Sequence, residues 1–429
     1  MNNSHKVNII TLGCSKNVVD SENLIGHFAY NNIEVTNDIK SADTVIINTC
    51  GFIGPAKEES IGVILEASEL KKVGRIKNLI VTGCLTERYT ENLRPQLPYV
   101  DHFFGVTAFE QILKAVNPDA VISENTHNRF LTPSHYAFIK ISEGCNHECS
   151  FCAIPLIRGK YISRTMESIE HEIKELVAKG VKEFNLIAQD TTYYGRDFAG
   201  KSLLPELLDR LSDIDGVNWL RLHYAYPTAF PVEALEIINK KSNICKYIDI
   251  PLQHFSDKIL KSMKRGTSSD YIEKLLYTIR EKIDNVAIRS TFIVGFPGET
   301  RKDFDILYDF IDRQELDRVG VFTYSHEDGT SAFSMIDTVT PKEKERRKDE
   351  LMLLQQDISL EHNQRTVGSD VRVLIDSVEN ETYIGRTQHD APEVDNLVQF
   401  TSDKALNVGD FVSVRIESAG EYDLFGKAI

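Results

Sequence analysis

Three of the seven cysteines in this 429-residue chain stand directly at the ends of short apolar runs and three more share one loop after a further run, and no other feature constrains the fold as much. The runs Val7 to Gly13, Thr44 to Thr49 and Asn78 to Gly83 are rich in β-branched residues and are followed at once by Cys14, Cys50 and Cys84. Between them Val18, Leu24, Ile25 and Phe28, then Ile61, Ile64 and Leu65, recur at helical spacing. Strands alternating with amphipathic helices predict a parallel sheet, and ligands of such sheets sit beyond the carboxyl ends of the strands. Three cysteines remote in sequence are thereby carried to one edge. Val100 to Val106 is a possible fourth strand.

A polar stretch, Asn125 to Ser134 with Pro133, reads as a linker. Six further strand-like runs follow: Ala137 to Ser142, Glu183 to Ala188, Trp219 to Ala225, Tyr247 to Leu252, Ala287 to Gly295 and Arg318 to Ser325. Helical segments separate them, the clearest being Glu167 to Lys179 with Gly180 as its stop. Such a series makes a partial barrel with its chemistry again at the carboxyl ends of the strands. Pro341 opens a charged helix, Lys342 to about His362. From Thr366 the pattern becomes short strands with Gly and Asn turns: Val371 to Asp376, Glu381 to Thr387, Asn396 to Phe400 and Phe411 to Ser418. The expected class is α/β: an amino-terminal parallel sheet domain (1–125), a central partial (βα)6 barrel with its trailing helix (134–362) and a small antiparallel β-barrel (366–429).

Charge and cysteine usage narrow the functions. Lys and Arg number 49 against 64 Asp and Glu, a net charge of −15, which disfavours wrapping nucleic acid through the overall field. No stretch approaches the roughly 18 unbroken apolar residues of a membrane span, and the start lacks a signal-peptide pattern, so a cytoplasmic location without membrane contact is expected. Seven scattered cysteines make no disulfide scaffold and read as thiols. The sharpest signal is Glu143-Gly-Cys145-Asn-His-Glu-Cys149-Ser-Phe-Cys152, directly after a strand. Its three cysteines, with gaps of three and two residues, can hold three irons of a cuboidal iron–sulfur cluster and leave the fourth open. A vacant position is what a substrate-binding metal site keeps. Structural zinc is the plainer reading, but it wants a fourth ligand, and His147 lies inside the loop. Cys245 and Trp219 read as packing, and His254 and His326 as lining at most.

The loop resembles the radical S-adenosylmethionine superfamily pattern CxxxCxΦC, with Phe151 at the aromatic position. That resemblance implies a 4Fe-4S cluster whose free iron chelates S-adenosylmethionine and cleaves it, with one electron from a donor, to a 5′-deoxyadenosyl radical. Such radicals attack C–H bonds that no side-chain base can open. Gly13-Cys14-Ser15-Lys16-Asn17 with Asp20-Ser21-Glu22, Asn48-Thr49-Cys50-Gly51-Phe52 and Thr82-Gly83-Cys84-Leu85 are similar to the amino-terminal domain of the methylthiotransferases. Membership of that family implies a second 4Fe-4S cluster on Cys14, Cys50 and Cys84, beside the one on Cys145, Cys149 and Cys152. Sulfur must meet the carbon radical at near-attack distance, so the two trios should converge.

The same resemblance places Phe151, Gln189, Arg289, Gly295 and Gly298 near S-adenosylmethionine. For Arg289 a buried structural ion pair is an equal alternative, and for each glycine a plain turn. Arg158-Gly159 and Ser163-Arg164 belong to the family pattern as well. No catalytic acid or base stands out. The family divides into transfer-RNA adenosine-modifying members and a branch that modifies an aspartate of the small-subunit ribosomal protein numbered twelve. The Cys14 and Cys145 motifs are similar to the protein-modifying branch. The carboxyl-terminal module looks like a TRAM domain, but it carries twelve Asp and Glu against five Lys and Arg, net −7. That charge repels phosphate, disfavours direct RNA binding and favours docking of a basic ribosomal protein. A transfer-RNA enzyme and a non-catalytic iron–sulfur carrier are the alternatives.

Overall fold

The computed structural model describes residues 5–122 and 131–429, so residues 125–130 of the expected linker lie outside it. The first unit is a five-stranded sheet in the order β2-β1-β3-β4-β5, all parallel. Its strands are β1 (Lys6–Thr11), β2 (Glu34–Val35), β3 (Thr44–Thr49), β4 (Asn78–Gly83) and β5 (His102–Phe103). Helices α1 (Ser15–Tyr30), α2 (Gly54–Lys72), α3 (Cys84–Leu93) and α4 (Phe109–Val116) cover its two faces. Every residue of β3 is buried, as a central parallel strand requires, because apolar residues must face both layers. Asn48 lies opposite Thr11 on one side and Thr82 on the other, so three strand ends are level. The run Val100 to Val106 contributes only two paired residues, and Glu34–Val35 is an edge strand too short to leave a pattern.

The second unit has six parallel strands: β6 (Tyr136–Lys140), β9 (Glu183–Ile187), β10 (Trp219–Leu222), β11 (Tyr247–Asp249), β12 (Ala287–Val294) and β13 (Arg318–Thr323). They form two three-stranded sheets, and β10 meets β11 at a sparse seam where the Cys245 N–H donates to Leu220 O at 2.9 Å. A small hairpin, β7 (Ser142–Glu143) with β8 (Ile162–Ser163), brackets the cysteine loop, helix α5 (Ile154–Arg158) follows that loop, and α6 (Met166–Ala178) packs outside. Both open edges are covered, which blunts edge-strand association. Val19 of α1 packs on Tyr136, Phe138 and Ile187 at one edge. At the other, the helix Pro341–Thr366 buries Leu351 and Ile358, and its Gln355 donates to Leu316 O at 3.0 Å.

The third unit is a closed barrel of β14 (Asp370–Glu379), β15 (Thr382–Arg386), β16 (Val398–Thr401), β17 (Phe411–Ala419) and β18 (Leu424–Ala428). Two features depart from expectation. There is a fifth strand, β18, and it runs parallel to β16, with Val398 opposite Leu424. This module plugs the end of the central barrel where the strands begin. Trp219, Cys245, Tyr247 and Ala287 pack there against Leu374, Ala391 and Phe411, so Cys245 and Trp219 are packing residues.

Beneath the apolar plug lies a buried ionic layer. Glu183 is fully buried and accepts from Arg221 Nε at 3.0 Å and from Arg386 Nη2 at 2.7 Å. Arg386 Nε reaches Asp376 at 2.7 Å. Arg318 pairs with Asp390 at 2.6 Å, and Tyr136 O–H donates to Glu393 at 2.9 Å. Carboxylates that the sequence presents as a surface charge are thus partly turned inward to bind the central barrel.

Candidate active site at the carboxyl ends of the strands

Cys14 sits at the N-cap of α1, Cys50 follows β3, and Cys84 is the first residue of α3. Two glycines draw these cysteines together. A Cβ on Gly13 would stand 2.7 Å from Cys50 Cβ, and one on Gly51 would stand 2.6 Å from Leu85 Cα and 2.8 Å from the Cys84 carbonyl carbon. Asn17 ties the same edge, donating to Leu12 O at 2.8 Å and Thr49 O at 3.1 Å. Two of the cysteines thus stand at the amino-terminal, positive ends of α1 and α3, a position that favours negative charge.

Gly51→Ala is expected to force that backbone contact apart. It should cost about 1–3 kcal/mol and lower the iron bound by this edge, while the Cys145 loop keeps its own. Iron content beside thermal unfolding of the variant checks this.

The Cys145 loop is pinned to the barrel mouth. Gly144 lies against Lys160, the Cys145 N–H donates to Gly159 O at 3.1 Å, and the Ser150 N–H donates to Met263 O at 2.9 Å. The His147 imidazole is engaged by other partners: Nε2 lies 2.7 Å from Asp190, and the ring stacks on Tyr226 at 3.7 Å. That placement deprives the zinc reading of its fourth ligand. Arg265 Nη1 donates to Cys149 Sγ at 3.4 Å and Tyr226 O–H lies 3.7 Å from the same sulfur. Arg265 carried no signal in the sequence, since one arginine in a Lys-Arg-Gly turn looks like surface.

Arg158 ties the first trio to the strand that leads into the Cys145 loop. Its Nη2 reaches Asn17 Oδ1 at 2.7 Å, Asp20 at 3.0 Å and Cys84 Sγ at 3.8 Å, while Nη1 reaches Glu143, two residues before Cys145, at 3.0 Å. Burial opposes its charge, and Asp20 and Glu143 outweigh that to hold its pKa above the ordinary value. Cys84 also packs on Ala153 and Ile157, immediately after Cys152. Each trio therefore has one buried guanidinium against a sulfur.

The donor set fits clusters better than nucleophiles. Burial pushes the free thiols of Cys84 and Cys152 up to about 12 and that of Cys145 up to about 11, so as bare thiols they are unreactive at neutral pH. A bound metal deprotonates a coordinating thiol outright. Among the described residues no group of three or more His, Cys, Asp or Glu is placed to hold a single ion. A cuboidal cluster instead spreads three cysteines over three irons.

Other expected contacts fare unevenly. Phe151 packs with Phe296 and Tyr324 beside the loop, and Gln189 lies two residues beyond β9, next to Asp190. Arg289 sits near the start of β12 with Asp249 and Asp395 each at 3.2 Å, so its charge is spent in the ionic layer. The space above Gly295 is filled by the Lys344 stem, 2.3 Å from where a Cβ would be, whereas Gly298 opens onto free space. Glu299 closes this turn by accepting from Gly295 N–H at 2.6 Å, and Arg347 holds it at 2.6 Å. His254 is fully buried beside Glu299, and His326 leans on Phe333.

Comparison with known proteins gives this arrangement its class. Residues 6–105 match the uncharacterized protein family UPF0004, residues 139–311 the radical SAM superfamily and residues 367–429 the TRAM domain. Among solved structures, the radical S-adenosylmethionine methyltransferase TsrM of Kitasatospora setae, with cobalamin and a 4Fe-4S cluster bound, superposes with a TM-score of 0.55 at 16% identity, over 75% of each chain. The cobalamin-dependent S-adenosylmethionine radical enzyme OxsB superposes at 0.53 and 12% identity, covering 83% of this chain and 56% of that one. Both are likenesses of fold.

Sequence relatives are much nearer. The protein of Cytophaga hutchinsonii named ribosomal protein uS12 methylthiotransferase RimO is 48% identical, over 100% of this chain and 99% of its own length. Its namesake in Flavobacterium johnsoniae is 47% identical, over 99% and 98%. The chain belongs to the RimO family of radical SAM methylthiotransferases.

Proposed function

We propose that this chain installs a methylthio group on the β-carbon of an aspartate side chain of ribosomal protein uS12. The supporting observation is the bridge across the domain boundary at Cys84, which lies against Arg158 and packs on Ala153 and Ile157, while Arg158 also holds Glu143 before the Cys145 loop; it supports a site for radical formation beside a site for sulfur presentation. In this reading Cys145, Cys149 and Cys152 hold one 4Fe-4S cluster, and Cys14, Cys50 and Cys84 hold the other. The clusters supply, when bound, reductive cleavage of one S-adenosylmethionine and delivery of a sulfur methylated by a second.

The chain's own residues position these parts. Arg265 and Arg158 offset negative charge at the two thiolate sets, and Arg158 with Lys140 locks the domains through Asp20. Phe151, Gln189 and Gly298 line the S-adenosylmethionine side, where the open face of Gly298 admits a planar base. Arg289 and Gly295 are left out because each already has a structural partner.

The divisions are 1–125 for the amino-terminal domain, 134–362 for the radical SAM core with its helix and 366–429 for the TRAM-like barrel. Exposed Glu379, Glu381, Glu417 and Glu421 are the part of the last unit's charge left to attract a basic ribosomal protein. Among the described residues no helix is long and apolar enough to cross a membrane. We place the enzyme in the cytoplasm, where an electron donor and ribosomes are both at hand.

Anaerobically reconstituted protein, given S-adenosylmethionine, reductant and either ribosomes or transfer RNA, is expected to add one methylthio unit to uS12, read by intact mass. A gain on RNA alone would overturn the reading in favour of a transfer-RNA enzyme. S-adenosylmethionine left uncleaved by fully loaded protein would favour an iron–sulfur carrier.

A further inference from the structure

Lys16 stands in the first turn of α1, two residues beyond Cys14. Only 6% of the residue is exposed, yet among the described residues no carboxylate pairs with its ammonium. The nearby acids are already engaged. Asp20, one turn along the same helix, is held by Lys140 and Arg158, and Asp249 pairs with Arg289. The Lys16 ammonium instead hangs over the Tyr224 ring, 3.1 Å from its centre. A cation–π contact returns only part of the free energy of taking an ammonium out of water.

The platform beneath it is held under strain. Tyr224 has φ +56, a left-handed conformation unfavourable for an aromatic residue, just beyond the end of β10. Its N–H is fixed by Asp249 at 3.0 Å, and its carbonyl accepts from the Thr191 N–H at 3.1 Å. Strain of this kind gathers at ligand clamps. Other polar atoms nearby also lack partners: Ser15 Oγ, next to Lys16, and Asn185 Nδ2, whose other side-chain atom contacts His223 at 3.0 Å. Lys16 is therefore a buried cation without an anion, reaching from the amino-terminal cysteine edge to the mouth of the barrel.

We infer that Lys16 is the specificity-determining residue, and that its ammonium receives the side-chain carboxylate of the substrate aspartate above the Tyr224 ring. This rests on the function proposed above. In an aspartate the carbon to be modified is bonded directly to the carboxylate carbon. One ammonium–carboxylate contact therefore fixes the β-carbon within a few ångströms of the residue that follows the Cys14 turn. An asparagine in the same place leaves the ammonium unpaired, and a site built around a buried charge rejects such a neutral isostere strongly.

The test uses the reconstituted two-cluster enzyme with uS12 and with uS12 carrying Asn at the target aspartate, read by competition binding and by methylthiolation. The wild type is expected to bind the aspartate form at least about 30-fold more tightly. In Lys16→Met that preference should fall to about 3-fold or less, while Lys16→Arg keeps most of it. Unchanged discrimination in Lys16→Met overturns the inference. So does a wild type that binds both forms alike, a comparison that needs no variant to fold. Weakened S-adenosylmethionine binding in Lys16→Met with the aspartate preference intact also overturns it and assigns the ammonium to the cofactor's carboxylate. If the wild type adds no methylthio group to uS12 at all, it is the proposed function that fails; if it does so and the Lys16→Met preference persists, the lysine alone fails.

Discussion

Cys149→Ala is expected to abolish 5′-deoxyadenosine formation, and a Cys14, Cys50, Cys84 triple-alanine variant to halve the iron bound, from about eight atoms per chain to about four. The asymmetry follows from the geometry. Cys149 is the sulfur that Arg265 and Tyr226 contact in the barrel mouth, and its loss removes one of three anchors from a loop of eight residues. The amino-terminal trio lies on another domain, so removing it leaves the loop's own hydrogen bonds to Gly159 and Met263 in place. S-adenosylmethionine cleavage should therefore survive in the triple variant while methylthiolation is lost. Chromatography of the nucleoside product and iron analysis read the two effects separately. An iron content unchanged in the triple variant would refute the second cluster.

Arg386→Met should destabilise the chain by about 3–5 kcal/mol, read as an earlier midpoint in urea unfolding. Removing this guanidinium strips Glu183 of one of its two partners and Asp376 of its 2.7 Å contact, both in the layer beneath the barrel. Burial raises the pKa of Glu183, and Arg386 with Arg221 outweighs it to leave the carboxyl below its ordinary value. The same balance, with His135 and Arg386 on the favourable side, depresses Asp376. Depressed carboxylates stabilise the fold above their unfolded pKa, and that contribution is lost as pH falls through the folded value. The deficit of the variant should accordingly shrink on acidification. A deficit below about 1 kcal/mol at neutral pH would show that the ionic layer is not what seats the small barrel.

These contrasts mark what a sequence can disclose about this fold. Thr44–Thr49 and Asn78–Gly83 were readable to the residue because a strand buried on both faces is a short, unbroken apolar run between turn residues. The convergence of Cys14, Cys50 and Cys84 followed from parallel topology alone. β18 escaped because Gly426 and Lys427 break its alternation, and only its pairing with both β16 and β17 makes it a strand. Arg265 and the Glu183, Arg221 and Arg386 group were invisible for another reason. Their meaning depends on partners 38 to 203 residues away, a distance no local pattern spans. Net charge is incomplete in the same way, since a count cannot tell a carboxylate facing water from Asp390 facing Arg318.

The two cysteine sets differ in how their parts are gathered, and this bears on the order of maturation. Cys145 to Cys152 fall within one short loop, so little chain entropy opposes capture of iron there even while the rest of the polypeptide is unfolded. Cys14, Cys50 and Cys84 meet only after three strands have paired and Gly13 and Gly51 have closed on their neighbours. Iron delivery to a newly made chain would thus begin at the barrel and finish at the amino-terminal edge, and half-loaded molecules should be of one kind only.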